Sequence, residues 1–195
     1  MNKIKESFIY IQKNKIVFIL LLSSFLLSVS TCLRGFKLVW VILFTDLGLS
    51  AVIIGLINSV SAIGGIFLPY TSKYFSKLIK SESKLIATMF FIQILALFSI
   101  FFVNDYISAI ILFLIIYIII DIISPIRNYF FQKQVNSKIR ATLTSTENMF
   151  KSIAYIIGVP LAAYFIETVG VNLTFVFSGV ILIPFVILLY KLKNN

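Results

Sequence analysis

Apolar runs long enough to cross a membrane occupy most of this chain, and the cations between them fall on alternate connections. A helix rising about 1.5 Å per residue needs about 20 mostly apolar residues to cross a hydrocarbon core of about 30 Å. Residues 16–44, 51–69, 85–103, 107–126 and 173–190 meet that need outright, and a sixth run, 141–166, has a polar first third and an apolar remainder. The first run exceeds a span, so it tilts, bends or projects. Splitting it at Gly35 leaves a second piece too short to cross, and the sequence therefore predicts one helix.

The cations orient these spans. Lys3, Lys5, Lys13 and Lys15 precede the first, and Lys73, Lys77, Lys80 and Lys84 separate the second from the third. Arg127, Lys133, Lys138 and Arg140 lie between the fourth and fifth, Lys151 enters the fifth from the same side, and Lys191 and Lys193 follow the sixth. These are 15 of the 17 basic residues; the other three connections carry Asp46, Asp105 and Glu167 and no Lys or Arg. The positive-inside rule converts that alternation into six spans with both termini cytoplasmic. One span more or fewer would scramble it.

Composition agrees. The chain is 60% apolar and 12% charged, against roughly 45–50% and about 25% in soluble domains. The net charge of +10 is a topology signal rather than a nucleic-acid stripe, because the basic residues punctuate apolar runs. The expected organisation is a cytoplasmic segment 1–15, an all-α six-helix domain 16–190 and a cytoplasmic tail 191–195, in the cell membrane. Ile4, Phe8 and Ile11 recur at i, i+4 and i+7 among Lys3, Lys5, Glu6 and Lys13, which suits a short helix lying on the inner surface. The apolar run from Ile16 is too long for a signal peptide, and no polar segment is long enough for a soluble domain.

Catalysis has no visible basis. There is no histidine, and Cys32 is alone within the first run, which removes the commonest general base and leaves no metal-ligand cluster. No phosphate loop, activated serine or carboxylate pair appears, so neither metal nor cofactor is expected.

Charged groups at membrane depth usually face a bundle interior or a watery cavity. Arg34 and Lys37 are one turn apart in the first run, and Ser30 and Thr31 extend their face inward. They line a substrate path that attracts an anionic group, or they snorkel to the outer interface. Asp121, about five residues above the inner end of the fourth run, is an ion-coupling carboxylate or the partner of Arg127 or Arg140. Glu147 and Lys151 pair at i, i+4, and Asn148, Ser152 and Tyr155 continue that polar strip. Gly55, Asn58, Ser59, Ala62 and Gly65 share a face of the second run that would let a neighbouring backbone approach. Gly64 and Pro69 would bend it. Gly158, Pro160, Ala162 and Ala163 form a similar group in the fifth. Ser30, Arg34, Lys37 and Asp121 are thus substrate-path candidates; Arg127, Arg140, Glu147, Lys151, Gly55 and Gly65 are structural or gating candidates.

Several stretches carry a family resemblance. ESFIYIQKNKIVFILLL is similar to a central cytoplasmic linker entering a seventh helix, and Trp40–Asp46 with LGLSAVIIGLINSVSAIGG to a seventh-to-eighth passage. SPIRNYFFQKQVNSKIRATLTSTENMF, with Arg140, Ala141, Thr142 and Ser145, is similar to the exit of a tenth helix and the entry of an eleventh. Together they resemble the C-terminal six-helix half of a major facilitator superfamily transporter. The stretch 65–84 keeps Gly65 and lysines but lacks the aspartate of that family's glycine–aspartate–arginine loop. The resemblance implies alternating access of a small solute, with drug efflux as one form. The family's fold has twelve helices, so it also implies a truncated or split product, working with a complementary six-helix half or a second copy of itself. A non-transporting scaffold or degenerate remnant is the alternative, and an integral membrane enzyme ranks below that.

Overall fold

The computed structural model describes residues 10–191 except 13, 79, 80, 136 and 138. Most of the expected surface helix in residues 1–15 lies outside them. The described residues contain no strand. Lys15–Leu33 is α1 and Leu38–Asp46 is α2, joined by a 3-10 turn at Gly35–Lys37. Ala51–Leu78 is α3, Glu82–Ser99 is α4, Tyr106–Gln134 is α5, Arg140–Val169 is α6 and Val171–Lys191 is α7. Six segments are long and apolar enough to cross a membrane, with α1 and α2 together supplying the first.

That first segment is not the single helix predicted. Gly35 and Lys37 both adopt positive φ, +59° and +103°, so the chain leaves α-geometry for one turn and re-enters it. Glycine takes such a conformation freely and lysine does not. The rest of the surrounding structure must therefore hold Lys37 in place.

Polar caps set the helix starts. The Asn14 side chain accepts from the Ile16 and Val17 amides at 3.2 and 3.3 Å, and Ser81 accepts from the Lys84 amide at 3.4 Å. Asp105 accepts from the Ser108 amide at 2.9 Å and from its hydroxyl at 2.7 Å, using donors that the first turn leaves free. Those bonds hold the Asp105 carboxyl below its usual range. This cap is complete above the ordinary aspartate pKa and weakens as the pH falls through the lowered one.

The helices run further than their apolar cores. α3 continues through Pro69 to Leu78, and α5 through Pro125 to Gln134. Asp121 is therefore residue 16 of the 29 in α5, counted from Tyr106, at mid-helix rather than near the inner end. Lys15, Lys73, Lys84 and Lys133 share the basic end of the bundle, and Asp46, Asp105 and Glu167 the opposite, acidic end.

Packing has an internal symmetry. The first span packs on the fifth (α1 on α6) as the fourth packs on the second (α5 on α3). The first also meets the sixth (α1 on α7) as the fourth meets the third (α5 on α4), and the third and sixth meet each other. Exchanging the first three spans with the last three leaves this set unchanged. Because three is odd, the two trios run in opposite senses, which is an inverted repeat. α4 and α7 form the back of the bundle, while α3 and α6 are largely exposed on its flanks.

In lipid, helices associate by close packing more than by hydrophobic transfer. Trp40, Phe44, Phe113 and Phe175 pack with ring centroids 4.5–5.8 Å apart and tie α2, α5 and α7 together toward the acidic end. Between α1 and α6 the joint is Gly158, where a Cβ would stand 2.7 Å from Cys32 Cβ and 3.6 Å from the Val29 backbone. Gly158→Ala must separate the two helices, at about 1–3 kcal/mol by the usual cost of overpacking. A markedly lower thermal midpoint in detergent would show it. Gly55, placed with the close-contact group by its spacing, has nothing within 4 Å of where a Cβ would be, and Ser59 and Ala62 are exposed. That face is open at Gly55, Ser59 and Ala62, whereas Gly65 on the same face lies against Asp121 of α5.

Candidate functional site

Two groups of polar side chains lie in the middle layer of the bundle. They sit between α1 and α5, the two helices related by the inverted repeat.

The first group surrounds Arg34, the C-cap of α1. This arginine does not snorkel: it is 4% exposed. Its Nε donates to the Ser30 carbonyl at 3.4 Å and its Nη2 to Thr31 Oγ1 at 3.2 Å. A guanidinium has five N–H donors, so these contacts leave it donors to spare. Arg34 lines a groove of about 200 Å³ together with Leu27 and Thr31 from α1, Phe90 from α4, and Tyr117, Ile120, Ile123, Ser124 and Arg127 from α5. The groove is apolar along most of its wall, with cations at two depths. Ser30 is fully buried and does not line it; its hydroxyl has no partner among the described residues.

The broken turn sends Lys37 elsewhere. Its ammonium donates to Ser61 Oγ on α3 at 3.4 Å and sits 5.0 and 5.8 Å from the ring centroids of Tyr117 and Phe113, within cation–π range. Tyr117 is thus shared: Arg34 and Lys37 approach it from either side of the turn. Asp121 is within electrostatic reach of Lys37 but forms no ion pair with Arg127 or Arg140, as the sequence had offered. Arg127 bonds elsewhere, and Arg140 is exposed, donating to the Gln132 carbonyl at 3.4 Å. The Asp121 carboxylate lies instead against Gly65 of α3.

The second group is nearer the basic end. Glu147 Oε1 accepts from Arg127 Nη2 at 2.9 Å, from Lys151 Nζ at 3.0 Å and from Ser24 Oγ at 2.8 Å. Arg127 also donates to Ser24 Oγ. The side chains of Arg127 and Glu147 are 10% and 7% exposed, so the i, i+4 pair read from sequence is one edge of a buried network joining α1, α5 and α6. Low dielectric strengthens these bonds and raises the cost of losing one.

Ser124 and Ser24 escaped the sequence reading as site residues, although the signal was present. Ser24, Ser28, Thr31 and Arg34 follow a three-to-four-residue spacing along α1, and Tyr117, Asp121, Ser124 and Arg127 do so along α5. The second series becomes visible once Pro125 is allowed inside the helix.

A search of curated proteins and one of solved structures found no match. The family description Major Facilitator Superfamily matches residues 8–194, the whole bundle with its paired trios and the polar groove between α1 and α5. By that match the chain belongs to the Major Facilitator Superfamily and is a transporter of the major facilitator type.

Proposed function

We propose that the chain moves a small amphipathic organic anion across the cell membrane by alternating access, through the groove between α1 and α5. The observation that carries this reading is Arg34: a buried guanidinium with free donors, set in an otherwise apolar groove. Such a group is costly at membrane depth without a counter-charge, and intramembrane cations usually mark a pathway. The apolar wall suits an organic body and Arg34 an acidic head, so a drug-like anion leaving the cell is one substrate of this class.

In this reading both termini are cytoplasmic, as the alternating cations indicate. The Arg127–Glu147–Lys151 network then lies toward the cytoplasm and holds α1, α5 and α6 together on that side. The chain corresponds to the C-terminal half of the twelve-helix fold. A complementary six-helix half, or a second copy, completes the cavity against the exposed flanks of α3 and α6. Asn148 and Ser152 are exposed at membrane depth on α6, where a protein or water neighbour is cheaper than lipid.

The test is counterflow in proteoliposomes holding the chain, alone and with a co-expressed complementary half. Fluorescent organic anions should be taken up and should compete with one another, while cations of similar size should not. Uptake of cations in preference to anions would refute the substrate class.

A further inference from the structure

The charges inside the bundle do not cancel evenly. On the neighbouring groove between α3 and α5, Asp121 lies within electrostatic reach of Lys37, one negative charge against one positive. The groove between α1 and α5 has no such balance. Arg34 forms no ion pair among the described residues. Toward the basic end, Arg127 and Lys151 share the single carboxylate of Glu147, so that cluster keeps one positive charge. One uncompensated charge therefore comes from Arg34 and another from the cluster, at a depth where net charge is costly.

Arg34 and Arg127 line the same groove, and α1 measures the distance between them. Arg34 Nη2 donates to Thr31 Oγ1 at 3.2 Å, while Arg127 Nη2 donates to Ser24 Oγ. Ser24 and Thr31 are seven residues apart in α1, which is about 10 Å at the helical rise of 1.5 Å per residue. The wall between the two guanidiniums is apolar, formed by Leu27, Phe90, Ile120 and Ile123. Each guanidinium has five N–H donors and keeps some of them for a ligand. Arg34 commits Nε and Nη2. Arg127 is 8% exposed, its bonds among the described residues all come from Nη2, and its Nε is buried without a partner among them.

We propose that the solute is a two-headed anion, an elongated apolar body with a carboxylate at each end, one head on Arg34 and the other on Arg127. This deepens the substrate reading above and rests on it. A single acid would leave the far end of the groove charged at membrane depth. Carboxylates fit better than phosphate monoesters, because each end offers one positive charge and a phosphate carries about 1.5–2 negative ones. The apolar wall takes the chain between the heads, so the groove selects for length as well as charge. Lys151 is a positioning residue in this scheme. It does not line the groove; it occupies the Glu147 carboxylate that would otherwise neutralise Arg127.

The test is equilibrium binding of radiolabelled suberate and octanoate to the full chain in lipid nanodiscs. Folding of each variant is checked by circular dichroism and elution profile. Among α,ω-dicarboxylates from succinate to sebacate, affinity should peak near suberate, whose extended chain approaches the separation of the two guanidiniums. Octanoate has the same length, one acid and a more apolar chain. It should bind roughly tenfold more weakly, the worth of one hydrogen bond to a charged group. Lys151→Met neutralises the cluster, so suberate should fall to the level of octanoate while octanoate, held on Arg34, is unchanged. Arg34→Ala should weaken both acids, and Lys73→Met, at an exposed position of the basic end, should change neither. Three results would each overturn the proposal and leave the anion reading standing: equal affinity of wild type for suberate and octanoate, affinity that keeps rising with chain length, or an equal loss of both acids in folded Lys151→Met. Folded wild type that binds neither acid would overturn both.

Discussion

Glu147→Ala is expected to lower the unfolding free energy by about 3–5 kcal/mol, the usual cost of removing one partner of a buried ion pair. The damage comes from what stays behind. Arg127 is nearly buried and its Nε already lacks a partner among the described residues, so losing Glu147 leaves a guanidinium with Ser24 as its remaining bonded side chain. Lys151, at 30% side-chain exposure, can turn to water and contributes less. Replacing both Arg127 and Glu147 by methionine removes the charges together and should recover most of the loss, as buried pairs exchanged for apolar residues often do. Reversible unfolding in mixed micelles would measure both. A Glu147→Ala chain as stable as wild type would mean that the network does not hold α1, α5 and α6 together.

Arg34→Ala should cost function rather than folding. Its own bonds are to Ser30 and Thr31 within the same helix, so its removal leaves a solvated groove wall and no stranded partner charge. A hydrogen bond to a charged group is worth about 1.5–3 kcal/mol, so the affinity for an organic anion should fall roughly ten- to a hundredfold. Arg34→Lys keeps the charge but loses the planar fork, and should fall between the two. Measured by competition binding in nanodiscs, an unchanged affinity in Arg34→Ala would remove this residue from the path.

Much of the fold was legible in the chain because a membrane imposes few choices. Run length and the placement of Lys and Arg gave the six spans before any packing was known. What the sequence concealed came from backbone exceptions. Gly35 is the visible place to split the first run, and the length beyond it argues for one helix, yet with Lys37 it breaks the helix and turns the two cations toward different neighbours. Pro125 looked like the end of the fourth span. Because α5 continues through it, Asp121 moves to mid-helix and Arg127 becomes part of the interior rather than a loop cation. Pairing across helices was the least readable layer. The i, i+4 spacing of Glu147 and Lys151 was visible, but their link to Arg127 and Ser24 depends on which spans are neighbours, and periodicity within one helix does not encode that.

The account rests on the groove between α1 and α5 being a water-accessible path for the solute, and labelling of single cysteines tests this most directly. In a Cys32→Ala background, Ser124→Cys and Thr31→Cys place thiols on the groove, and Ile111→Cys places one on an exposed apolar position of α5. The account predicts that a membrane-impermeant maleimide labels the two groove positions much faster than position 111, and that a transported anion protects them. Equal, slow labelling at all three positions, unaffected by anions, would contradict it.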